Sequence, residues 1–196
     1  MEIKLDSTSE KIVAATFELM QKDGSEKATT KKIAAEAGVN EVTIFRKFEN
    51  KKNLIEITKE YYLQKLINKL EEIFVFDEDE GIDEYLKISF FGILNLSEDD
   101  FSILKVAMEE VRGDSDKLLI SEITDVILVK LEEFFKFQID KGKIRDDINV
   151  KSLAILCFSV LFQSVILWKI YNRDMGFNQI PYADDILNIV FEGITP

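Results

Sequence analysis

Arg46, Lys47, Lys51 and Lys52 fall within one short stretch of a chain whose formal charge is −12. Cations gathered this way can neutralise phosphate groups. The distribution of charge supports that chemistry better than its sum does. Residues 1–52 hold ten Lys/Arg against nine Asp/Glu, whereas residues 53–196 hold fifteen against twenty-eight. Only the first part escapes the acidic bias, as expected of a phosphate-facing tip on an acidic body.

Other chemistries find little support. The chain has no histidine, which removes His-based triads, imidazole bases and zinc sites. Its carboxylates are spread over helix faces without a paired arrangement, so they read as solvated surface. The acidic loop Asp77-Glu78-Asp79-Glu80-Gly81 lacks the length and alternating ligands of a calcium site. Cys157 is the one cysteine; it lies in an apolar run and is expected to be a buried, inert thiol. Catalytic residues, a metal and a cofactor are therefore not expected, nor is enzymatic activity.

The basic cluster ends a stretch, Thr30 to Lys47, that predicts two short helices joined at Gly38. Ile33, Ala34 and Ala37 recur at helical spacing on the first, Ile44 and Phe48 on the second. Gly38 can adopt the left-handed conformation that ends a helix, and Asn40 can cap the next. A small Ala34 at the crossing and apolar Val39 and Ile44 complete a helix-turn-helix pattern. An ordinary αα-corner uses the same glycine.

Around this stretch the chain predicts an all-α fold of about nine helices. It divides into a three-helix head over residues 1–52 and a helical bundle over 53–196. Helix 1 follows Ser7-Thr8-Ser9-Glu10, which fits a capping box with Ser7 as N-cap, and ends at Gly24. Thr29 or Thr30 can cap helix 2. A long helix opens at Lys51 and runs to about Val75. Further helices are expected at Ile82–Leu96, Glu98–Val111, Ser115–Lys141, Asp147–Tyr171 and Tyr182–Gly193. Two prolines and eight glycines leave little material for the turns of an all-β protein.

Leu153–Trp168 is apolar nearly all round, yet sixteen residues fall short of the ~20 needed to cross a bilayer. The expectation is a buried helix covered in part by a second copy of the chain, with no membrane partner. No apolar leader segment precedes it, so a cytoplasmic location is expected. Twelve of the fifteen phenylalanines, all five tyrosines and Trp168 follow residue 50. They make an aromatic pocket in the body plausible beside ordinary core packing. An acidic, aromatic body suits a cationic lipophilic ligand, and fatty-acid-like or neutral apolar ligands fit equally well.

The head resembles the tetracycline-repressor (TetR) family of transcriptional regulators over about residues 8–56. The resemblance rests on Thr29-Thr30, Ile33-Ala34, Ala37-Gly38-Val39-Asn40, Thr43-Ile44-Phe45-Arg46-Lys47-Phe48 and Lys51-x-x-Leu54. It implies a ligand-responsive repressor that binds a palindromic operator in double-stranded DNA as a homodimer. Two heads must then sit about one DNA turn (~34 Å) apart, and a small-molecule effector in the body releases them. A long helix entering the body from Lys51 can turn a small rearrangement there into lateral movement of a head.

By resemblance, Thr29, Thr30, Lys47 and Lys51 correspond to phosphate-contacting positions. Asn40, Glu41, Thr43, Phe45 and Arg46 lie on or beside the recognition helix. Arg46 can reach guanine bidentately, and Asn40 can cap the helix or contact phosphate. The chain departs from the family where Phe45 replaces a frequent tyrosine, leaving apolar contact such as that to a thymine methyl. Glu41 and Val42 stand where small or basic residues are frequent. The competing expectation is an all-α dimeric interaction or ligand-carrier module that does not bind DNA. Neither the effector nor the operator sequence follows from these residues.

Overall fold

The computed structural model describes residues 3–110, 119–171 and 179–194. Among them every regular element is helical. The helices are α1 (Ser7–Asp23), α2 (Thr30–Glu36), α3 (Glu41–Phe48), α4 (Lys51–Ile73), α5 (Ile82–Leu94), α6 (Glu98–Glu110), α7 (Leu119–Asp140), α8 (Val150–Val165) and α9 (Gln179–Ile194). Two compact units result, Met1–Leu66 with Ser102–Asp116, and Ile67–Phe101 with Lys117–Pro196.

In the first unit α1 packs on α2 and α2 on α3. Ile12, Val13, Phe17 and Met20 of α1 are buried at the spacing the sequence predicts. The Phe17 ring stacks on Tyr62 of α4 at 3.6 Å between centroids. The start of α1 differs from expectation. Asp6, not Ser7, is the N-cap, and its Oδ1 accepts from the Ser9 amide at 2.8 Å. A charged acceptor at the positive end of the helix dipole makes the stronger cap, and Ser7 becomes the first helical residue.

In the second unit α7 packs on α8, and α5 touches both α8 and α9. Tyr85 of α5 stacks on Phe134 of α7 at 3.7 Å, with Phe76 edge-on to both. Gly92 lets α5 lie close to the end of α4, because a Cβ there would sit 2.8 Å from Ile73 Cγ2. Gly142, at φ 71°, lies just beyond α7. The expected ends at Val111 and Ser115 lie outside the described residues. From Leu119 onward α7 buries Ile123, Ile127, Leu131, Phe134 and Phe135, the apolar positions that predict the helix, while Val126 is half-buried.

The helix expected over Asp147–Tyr171 runs over Val150–Ile170. Asn149 caps α8 through Ser152 N at 2.9 Å. The helix then continues as a π turn, Ile166–Ile170, with Tyr171 N bonded to Ile166 O at 2.9 Å. Val150–Ile170 thus forms 21 helical residues of mean hydropathy 2.1, enough by length and composition to cross a membrane. The expectation that this run is too short does not hold, because polar Lys151, Ser152 and Lys169 extend the helix at both ends. Ile155 and Leu156 are about half exposed on it.

Asp100 is the buried charge among the described residues of the second unit. Both its oxygens accept from Lys69 Nζ at 2.7 Å, and one also accepts from Ser97 N at 2.9 Å and Ser97 Oγ at 2.5 Å. Burial would raise this carboxyl, but the Lys69 and Ser97 bonds outweigh it and hold it below the usual range. A depressed carboxylate stabilises the fold above its unfolded pKa of about 3.9 and loses that contribution as pH falls towards the folded value. Asp100→Asn should therefore cost about 1–2 kcal/mol at pH 7, limited by the half-exposed Lys69. Urea unfolding at pH 7 and pH 3 should show the gap from the parent closing on acidification. A gap independent of pH would assign Asp100 a packing role only.

Candidate nucleic-acid interface and apolar chamber

The turn between α2 and α3 has the hydrogen bonds of a Schellman motif. Val39 N donates to Ala34 O at 2.9 Å and Gly38 N to Ala35 O at 3.3 Å, with Gly38 at φ 66°. Asn40 Oδ1 then accepts from Val42 N at 2.9 Å and starts α3. Ile33, Ala34, Ile44 and Phe48 are buried between the two helices and their neighbours. With that face committed, the opposite face of α3 is held outward. Val42 is 71% exposed and Phe45 46%, with Arg46 exposed beside them.

The predicted site residues divide by what already holds them. Thr29 is an exposed N-cap, its Oγ1 accepting from Lys32 N at 3.3 Å. Thr30 Oγ1 donates to Glu41 Oε1 at 2.6 Å, so these two residues pin the start of α2 to the start of α3. Thr43 is half-buried. Arg46 makes no hydrogen bond or ion pair with the described residues. Lys47 Nζ lies 2.6 Å from Asp6 Oδ2. That ammonium, together with the Ser9 amide, holds the Asp6 carboxyl well below the usual range. Lys51 Nζ donates to the Glu26 carbonyl at 2.8 Å. The structure thus brings Asn40, Phe45 and Arg46 together on an open face with Val42, whereas both predicted lysines are tied within the head. Asp6 and Glu26 were not legible as their partners, since 41 and 25 positions separate the pairs.

The second unit holds a partly open chamber of about 60 Å³ between α5, α7, α8 and α9. Its walls include Phe74, Leu86, Phe90, Leu131, Leu161 and Leu187, and its polar lining comes from Ser89, Cys157 and Tyr182. Cys157, expected to be buried, is half-buried; its sulfur is nonetheless shielded from solvent, which pushes the thiol up to about 12, so it stays neutral and is a poor nucleophile. Burial likewise raises the Tyr85 hydroxyl above its ordinary value, and that hydroxyl donates to Phe74 O at 3.3 Å. Among the described residues no group of acidic or sulfur ligands is placed to hold a metal ion.

Residues 12–57 match the model of the bacterial regulatory proteins, tetR family. The chain is 25% identical over 186 residues to the fatty acid metabolism regulator protein of Bacillus subtilis (strain 168), covering 93% of each. It is 29% identical over 158 residues to the uncharacterized HTH-type transcriptional regulator YvkB of the same bacterium, covering 79% of each. Among solved structures it is similar to the transcriptional regulator FadR from Bacillus subtilis in complex with stearoyl-CoA. There the TM-score is 0.69 at 22% identity, over 94% of this chain and 98% of that one.

The Gly38 turn can be tested directly. A Cβ at Gly38 would meet nothing within 4 Å, so Gly38→Ala would cost only its left-handed backbone. That is about 1–2 kcal/mol, readable as a lower denaturation midpoint with unchanged helix content. An unchanged midpoint would show that the turn tolerates another backbone conformation.

Proposed function

The chain belongs to the tetR family of bacterial regulatory proteins, and from that premise we propose how its own residues read DNA and respond to a ligand. It is a ligand-responsive, DNA-binding transcriptional regulator. The observation that carries the reading is the outward face of α3. Val42, Phe45 and Arg46 are solvent-exposed on a helix whose opposite side is locked by Ile44 and Phe48.

On a duplex, α3 enters the major groove. Arg46 supplies the free guanidinium that can pair bidentately with guanine O6 and N7. Val42 and Phe45 offer apolar surface to thymine methyl groups, in place of a phenolic contact to phosphate. Thr29 and Asn40 border this face and can reach the sugar-phosphate backbone. Glu41 serves the head through Thr30 and is not assigned a base. Lys47 and Lys51 contribute to phosphate binding by exchanging Asp6 and the Glu26 carbonyl for phosphate oxygens.

The operator is a palindrome read by two copies, with half-sites one turn apart. A second copy, rather than a bilayer, covers the exposed apolar side chains Ile155 and Leu156 of α8. The effector enters the chamber of the second unit. Its apolar walls, and the relatives' names, favour a fatty-acyl compound over a cation. Binding releases the operator because the ligand prefers the conformation that DNA does not. The activity is regulatory, with no catalytic step, and takes place in the cytoplasm where the DNA is.

Capture of genomic fragments followed by sequencing should return a palindrome with that spacing. Absence of salt-sensitive duplex binding by the purified protein would overturn the reading. Arg46→Ala should weaken specific binding by about 1–3 kcal/mol and relax the preference at one base pair. Asp6→Asn keeps a capping side chain but frees Lys47. It should raise affinity for duplex and steepen the logarithmic salt dependence by about one unit. An unchanged slope in fluorescence-anisotropy titrations would mean that Lys47 stays off the phosphates.

A further inference from the structure

Ser89 is the one buried side-chain polar group among the described residues with no hydrogen-bond partner. It is 2% exposed and lines the apolar chamber. Other helical hydroxyls of the chain behave differently. Thr16, Thr58, Thr124, Ser159 and Ser164 each donate to the carbonyl four residues back, at 2.7–2.8 Å. Ser89 does not; the Tyr85 hydroxyl is near enough for Ser89 to lower its pKa, yet it donates to the Phe74 carbonyl at 3.3 Å and the two hydroxyls do not meet hydrogen-bond geometry. A buried hydroxyl left in this state is costly, and the loss is recovered by any molecule that brings it an oxygen.

We infer that Ser89 is the polar anchor of the chamber, and that the molecule it holds presents a neutral oxygen, as in an ester, thioester or alcohol, and not a carboxylate. This rests on the reading of the chamber as the effector site.

The electrostatics of the walls set the choice. No charged side chain lines the chamber, and the charges that act on Tyr85 beside Ser89 are those of Glu80 and Glu133. A carboxylate placed there would lose its water without gaining a cation, and would face negative charge. A carbonyl or hydroxyl oxygen needs one donor, and Ser89 supplies it. The apolar remainder of the ligand is accommodated by Phe74, Leu86, Phe90 and Leu187 as the walls part. Cys157 stays protonated, so an ester or thioester is bound without being cleaved by it.

The chain carries its own reporter. Trp168 is its only tryptophan, and its ring meets Tyr182 edge-on at 5.1 Å and Phe90 at 6.3 Å. Both of those rings line the chamber. Intrinsic fluorescence titrations at pH 8 with methyl decanoate, 1-decanol, decanoyl-CoA, sodium decanoate and butylbenzene would give the ranking. The ester and the alcohol should bind at least about tenfold more tightly than the carboxylate, with the preference narrowing as acid neutralises decanoate. Binding of decanoyl-CoA as well as the methyl ester would identify a thioester source, with the charged part of the ligand held outside the chamber.

Ser89→Ala should weaken the oxygen-bearing neutral ligands about tenfold and leave butylbenzene unchanged. Because this variant deletes a hydroxyl that had no partner, its melting temperature should hold or rise. Decanoate binding as tightly as the ester, or an ester affinity that survives Ser89→Ala, overturns the inference while the chamber remains the effector site. If none of the five probes binds, the chamber reading falls along with it.

Discussion

The head depends on one crossing. α2 and α3 come together because Ala34 ends at its Cβ and Gly38 turns the chain at φ 66°. Side chains then interlock around Ile33 and Ile44, both fully buried. This fixes the rotation of α3 about its own axis, since residues on one side of a short helix cannot be buried without presenting the other side. The Thr30–Glu41 hydrogen bond restrains the same pair at their first turns. Everything the head can read follows from that rotation. Val42, Phe45 and Arg46 face outward because Ile44 and Phe48 face inward.

Electrostatics then separates holding from reading. Lys47 and Lys51 connect α3 and the start of α4 to Asp6 and Glu26. Those contacts help organise the head, and on the proposed reading they compete with phosphate for two cations. Arg46 has no such tie. The face is therefore less basic than its sequence composition suggests, and its apolar share is larger. A protein built this way gains less from counterion release and depends more on fit in the groove. That balance favours discrimination between sequences over tight binding to any duplex.

Much of the fold was legible because helices bury apolar residues at a fixed period. The stripes of α1 and α7, the glycine turn, the Thr29 and Asn40 caps and the buried Ile44 and Phe48 all follow from local sequence. What was not legible is of longer range or depends on atomic positions. Asp6 displaces Ser7 as the cap because a carboxylate is the stronger acceptor there. Its pairing with Lys47 spans 41 positions and leaves no periodic trace. A helix reaching Tyr171 is expected from residue types, but its change of hydrogen-bond register into a π turn at Ile166–Ile170 has no signal in them. Ser89 lies between Ile88 and Phe90 and reads as a tolerated polar residue in a core helix. Only the geometry of its missing hydrogen bond marks it out.

The size of the chamber constrains how a ligand can act. Sites for drug-sized ligands run to about 300–1,000 Å³, whereas this one holds about 60 Å³. The fatty-acyl ligand proposed above would therefore require an opened state, and its apparent affinity would be its intrinsic affinity reduced by the fraction of molecules that are open. The walls are aromatic, with Phe90 and Tyr182 in contact with each other and with Trp168 behind them. Closure is stabilised by that packing and opposed by the orphan hydroxyl of Ser89. A ligand that separates the rings while satisfying Ser89 offsets one loss with the other gain. A ligand of the same bulk without an oxygen separates the rings and leaves the hydroxyl unpaired. The chamber can thus discriminate between apolar molecules of equal size through a single atom, and by linkage that preference extends to whatever the open state does to DNA.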